Sequence, residues 1–124
     1  VIRAWNMKPT KPIHREDKGW GYEIWIHNSP NYCGKILVLE KGKRCSLHHH
    51  IQKKETFYIQ SGRLTMRAVD ESGKESIFGM NKGDVFEIPP GLKHQFIGIA
   101  DVTEIMEFST QHFESDSIRT EKGD

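Results

Sequence analysis

Nowhere in this 124-residue chain do apolar residues keep a helical period long enough to make a helix. The chain is instead a succession of short β-type runs, each closed by Gly, Pro, Asn or Asp. The runs predicted as strands are residues 22–27, 33–40, 44–50, 55–60, 63–69, 76–80, 84–88, 94–99 and 103–109. Within residues 63–69 the alternation sends Leu64, Met66 and Ala68 inward and Arg63, Thr65 and Arg67 outward. Many short strands at regular spacing predict an all-β fold, an antiparallel barrel or sandwich whose mouth suits one small ligand.

At this length one core is expected. We divide the chain into an N-terminal arm at 1–19, a β-barrel at 20–113 and a C-terminal tail at 114–124. The arm is polar and carries Pro9 and Pro12. It is expected to lie along the body or to join a partner's sheet, and the tail is expected to be irregular. Hydrophobic residues make up 35% and charged residues 28%, with a net charge of +1. That balance points to no nucleic acid and no membrane surface as a partner. Cys33 and Cys45 form neither a disulfide framework nor a C-x-x-C pair, which predicts free thiols and a cytoplasmic setting. The chain opens on Val1, so it is read as processed, trimmed or part of something longer.

Two stretches carry chemistry. In Leu47-His48-His49-His50-Ile51-Gln52-Lys53-Lys54-Glu55, His48 and His50 are two apart and share one face of a strand, while Glu55 can join them after a short turn. In Gly83-Asp84-Val85-Phe86-Glu87-Ile88-Pro89-Pro90-Gly91-Leu92-Lys93-His94, a Pro-Pro-Gly turn can aim His94 at the same space. Three imidazoles and a carboxylate suit one divalent metal ion (Zn, Mn, Fe, Co or Ni) and leave one or two positions for water or substrate. His49 faces the other way and is expected on the exterior with His14 and His27. Trp20, Trp25, Phe57, Tyr58, Phe86, Phe96 and Phe108 are expected in core and rim.

The spacing Gly42-x5-His48-x-His50-x4-Glu55-x6-Gly62, followed by Gly83-x5-Pro89-x-Gly91-x2-His94, resembles the two motifs of the cupin superfamily. Gly98 stands where the second motif usually ends in Asn. The resemblance implies a single-domain cupin, a double-stranded β-helix or jelly-roll barrel, with His48, His50, Glu55 and His94 as metal ligands. Trp20-Gly21-Tyr22-Glu23, Tyr32-Cys33-Gly34-Lys35, the metal strand, Glu107-Phe108-Ser109-Thr110 and the segment from Glu114 to Arg119 are similar to type II mannose-6-phosphate isomerases. There the barrel is often the C-terminal part of a longer sugar-nucleotide enzyme. This chain departs from them at His48, usually Gln, at Lys53, usually Arg, and in lacking their closing Tyr-Gly-Arg. The departures leave the phosphorylation of a substrate open.

That resemblance implies a sugar or sugar-phosphate aldose–ketose isomerase working through an enediol(ate), with the metal stabilising developing negative charge. Glu107, Lys53 and His112 are the candidates for the proton shuttle, and Lys35, Lys53 and Arg119 for holding an anionic group. Two other readings use the same ligands: an Fe(II) cupin dioxygenase and a non-catalytic sugar-binding or regulatory cupin. Assembly as a homodimer, through an edge strand or the arm, is expected.

Overall fold

The computed structural model describes residues 7–124, which form two antiparallel sheets facing one another. The strands are β1 (His14–Lys18), β2 (Gly21–Asn28), β3 (Cys33–Glu40), β4 (Leu47–His50), β5 (Glu55–Ser61), β6 (Arg63–Val69), β7 (Glu75–Asn81), β8 (Val85–Ile88), β9 (Lys93–Gly98), β10 (Val102–Ser109) and β11 (Ser117–Glu121). One sheet runs β1-β2-β3-β10-β5-β8 and the other β11-β4-β9-β6-β7. This is an antiparallel all-β fold, as the pattern of short strands predicts, and it has the jelly-roll form that the cupin resemblance implies.

Period-2 alternation builds the interior. On β3, Cys33, Lys35, Leu37 and Leu39 are buried; on β5 the inward residues are Glu55, Phe57 and Ile59, and on β6 they are Leu64, Met66 and Ala68. Leu37, Leu39, Phe57, Ile59, Leu64, Met66, Phe96 and Ile105 form one contiguous core, with Trp20 edge-on to Phe96 at 5.2 Å between ring centres. The apolar positions fill one half of the barrel. The inward polar positions His50, Lys53, Glu55, His94 and Glu107 occupy the other half.

Two expectations change and one is made specific. The tail is not irregular: Glu114–Asp116 form a 3₁₀ turn, and β11 adds to β4 with Arg119 opposite His48. From His14 onward the arm lies along the body, one of the two placements expected of it, because β1 pairs along its whole length with β2; the arm's first six residues lie outside the described ones. The metal strand begins at Leu47 rather than at 44, since Arg44 makes only an isolated bridge to Ile97.

Gly98 departs from the Asn of the usual motif for a steric reason. A Cβ there would lie 2.3 Å from the carbonyl oxygen of Glu40, so no side chain fits. Gly62 is constrained in two ways: its φ is +87°, and a Cβ would come within 2.5 Å of the Val102 carbonyl oxygen.

Candidate metal centre

The pairing of β4 with β9 sets His48 directly across from His94. Two residues along β4, His50 points into the same space, and the side-chain nitrogens of His48, His50 and His94 fall within 4.8 Å of one another. Glu55, first residue of β5, brings Oε2 to 3.2 Å from His94 Nε2 and 3.5 Å from His50 Nε2. His50, Glu55 and His94 are buried, and His48 is half-buried at the open side.

Hydrogen bonding on the far side of two rings fixes their tautomers. His48 donates Nδ1–H to the Ser46 carbonyl at 2.9 Å, and His94 donates Nδ1–H to the Leu92 carbonyl at 3.0 Å. Each ring therefore presents a bare lone pair at Nε2. His94 Nε2 and Glu55 Oε2 are buried with no hydrogen-bond partner among the described residues. Acceptors facing acceptors in a dry site are costly unless a cation lies between them. Burial, followed by the neighbouring His94, pushes His48 down to about 3, and burial pushes His50 down to about 4, so both are neutral at physiological pH. Burial would raise the Glu55 carboxyl, but His94, Lys53 and His50 together hold it well below the ordinary carboxylate value. The donor set fits a divalent ion.

Glu55 divides its two oxygens. Oε2 faces the imidazoles, and Oε1 accepts from Lys53 Nζ at 3.1 Å. Lys53 also donates to Glu107 Oε2 at 2.7 Å and to His112 Nδ1 at 3.1 Å. All three ammonium protons are thus committed. Burial disfavours the Lys53 charge, yet Glu107 and Glu55 outweigh it and hold the ammonium above its ordinary value. Burial, then the charge of Glu55, raises Glu107. Burial, Lys53 and Lys35 lower His112, whose Nε2–H donates to Glu114 Oε1 at 3.1 Å.

The structure brings all seven sequence-predicted site residues, His48, His50, Lys53, Glu55, His94, Glu107 and His112, to one region, and six of them, all but His94, line a pocket of about 220 Å³. His49 is half-buried rather than exterior, with a sequestered Nδ1. Phe108 and Tyr58 face outward instead of forming a pocket rim. Lys35 and Arg119, the sequence candidates for holding an anionic group, also line the pocket, and with them come Lys18, Glu23 and Lys122, which had no signal in the sequence. Glu23 and Lys35 form a buried pair at 3.5 Å, with Lys35 also 4.1 Å above the Trp25 ring. Lys18, Arg119 and Lys122 line the pocket and take part in none of the ion pairs among the described residues.

A family profile described as Cupin matches residues 19–122. The chain belongs to the cupin family. An oxalate decarboxylase of Arthroderma benhamiae is 29% identical over 106 residues, covering 83% of this cupin and 24% of that protein. A probable oxalate decarboxylase of the same organism is 31% identical over 91 residues, covering 71% and 22%. This cupin therefore spans about a quarter of the length of the curated relatives it matches. The capsular polysaccharide assembling protein CapF from Staphylococcus aureus superposes with a TM-score of 0.80 at 18% identity, over 90% of this cupin and 35% of that chain. Oxalate decarboxylase from Bacillus subtilis gives 0.78 at 23% identity, over 86% and 29%. At such identities the superpositions establish the shared barrel.

Proposed function

We propose that this cupin is a metal-dependent aldose–ketose isomerase for a small sugar or sugar phosphate. The observation that carries the reading is the Glu107–Lys53 pair, buried beside a cluster of metal-ligating imidazoles and joined to it through Glu55. Isomerisation needs a proton moved between adjacent carbons, hence a base whose proton affinity is tuned toward neutrality. Glu107 meets that need, because burial and Glu55 raise it while Lys53 keeps it oriented. Lys53 is the positioning cation rather than the base, since its ammonium is held charged by two carboxylates. His112, neutral and accepting from Lys53, closes that side of the pocket. His48, His50, Glu55 and His94 would hold the divalent ion, which supplies Lewis-acid stabilisation of an enediolate when bound. The unpaired cations Lys18, Arg119 and Lys122 give the lip an affinity for an anionic group, which favours a phosphorylated sugar. Two buried, unpaired thiols agree with a cytoplasmic setting, and among the described residues no helix is long and apolar enough to cross a membrane.

The test is turnover. Protein loaded separately with Mn, Fe, Co, Ni or Zn is incubated in D₂O with aldoses and their phosphates. Ketose formation with deuterium incorporated next to the carbonyl is expected, and no turnover on any sugar with any metal rejects the reading. The oxalate decarboxylase relatives favour a second reading, cleavage of a small dicarboxylate. It predicts carbon dioxide release from oxalate and no isomerisation.

A further inference from the structure

Between the ligands His50 and Glu55 the chain makes a four-residue excursion, Ile51-Gln52-Lys53-Lys54, that places Lys53 in the pocket. Three successive backbone N–H groups of that excursion end on one residue. The Ile51 N–H donates to the Asp116 carbonyl oxygen at 3.2 Å, Gln52 N–H to Asp116 Oδ1 at 2.8 Å and Lys53 N–H to Asp116 Oδ2 at 3.0 Å. Asp116 is 6% exposed and closes the 3₁₀ turn just before β11. The next residue, Ser117, is registered opposite His50.

The same carboxylate faces a metal ligand. Asp116 Oδ2 lies 3.9 Å from His50 Nδ1, a buried atom with no hydrogen-bond partner among the described residues. His48 and His94 each have a backbone carbonyl at Nδ1, whereas His50 has only this carboxylate. A negative oxygen at that edge favours the tautomer with the proton on Nδ1, which frees Nε2 toward Glu55 and the other rings.

We infer that Asp116 is a positioning residue of the metal centre, fixing the loop that joins two ligands and selecting the His50 tautomer that can ligate. The inference rests on the metal-binding reading above. It assigns a working role to the C-terminal segment, which reaches the site by chain contacts alone.

Cobalt(II) is the probe, because its visible spectrum reports the number and geometry of nitrogen ligands independently of turnover. The metal-free wild type and Asp116→Asn are titrated with cobalt, and the thermal midpoint of each metal-free protein is recorded. The expected result is roughly 10- to 100-fold weaker cobalt binding in Asp116→Asn, the range for lost outer partners of a metal ligand, with an altered visible spectrum. Unchanged affinity and spectrum in the variant overturn the role of Asp116 and leave the metal reading standing. No cobalt binding by the wild type overturns both. Should the variant not fold, nitrogen chemical shifts of the His50 ring in the metal-free wild type decide. A proton on Nδ1 supports the inference, and a proton on Nε2 overturns it.

Discussion

Lys53 holds two carboxylates together, and that arrangement can be tested one side chain at a time. Replacing it with Met leaves Glu107 and Glu55 buried near each other without a counter-charge. Removing one partner of a buried ion pair costs about 3–5 kcal/mol, so Lys53→Met should lower stability by that order in urea unfolding. Glu107→Gln keeps the shape but removes the proton acceptor. Activity should fall about 10²- to 10⁴-fold while cobalt affinity stays close to that of the wild type. The histidines make the metal-free chain acid-sensitive. An ordinary imidazole titrates at 6.5, whereas folded His48 and His50 wait until about 3 and about 4. Across that window the unfolded chain binds more protons, so stability is full above 6.5 and declines as pH falls. The lowered carboxyl of Glu55 adds a loss of the same sign at the acid end. A denaturation midpoint that stays flat from pH 6.5 to 4 in chelator would contradict this. Burial also pushes the Cys45 thiol up to about 12, so it should resist alkylation at pH 8 until the protein unfolds.

At the level of strands and turns, the glycines carry the strictest requirements. Gly62→Ala forces a side chain onto a backbone with φ of +87° and against the Val102 carbonyl, and should cost more than about 1 kcal/mol in thermal unfolding. Most strands were legible in the sequence because alternation is a local signal: residues 33–40 and 63–69 match β3 and β6 to the residue. His48 and His50 were legible as a pair because i and i+2 on a strand must share a face, whereas Glu55 and His94 were tied to them by the spacing of the two cupin motifs. β11 and β1 were not. Ser117–Glu121 is exposed on nearly every residue, so its sequence shows no apolar alternation, and only hydrogen bonding to β4 makes it a strand. Asp116 was invisible for the same reason. Its partners Gln52 and Lys53 are 64 and 63 residues away, and no local pattern encodes such a contact. Lys35 was legible as a cation for the pocket, but its pairing with Glu23 was hidden because each residue type is ordinarily solvated.

On the scale of the whole molecule, the outer face of the larger sheet carries an apolar row across five neighbouring strands. Ile24, Ile36, Met106, Tyr58 and Val85 are registered side by side, with Phe108 and Val38 flanking them. Six strands at roughly 4.8 Å spacing and about 25 Å of strand length give a face on the order of 700 Å². That whole face, on which Glu104, Thr56 and Glu87 surround the apolar row, is close to the roughly 800 Å² per partner of a standard interface, and we propose a second copy of this chain as its occupant. Light scattering should then give a dimer and Met106→Glu a monomer; a wild-type monomer at micromolar concentration would overturn this. β4, finally, has β9 on one side and β11 on the other, both reached only after long excursions of the chain. Pairings between distant segments form late, since loop closure must precede them. A nascent chain extending only through β8 has His48, His50 and Glu55 but neither His94 nor Asp116. The ligand set is therefore incomplete until β9 and β11 have docked on either side of β4, and a chain interrupted after β8 should bind cobalt far more weakly than the intact barrel.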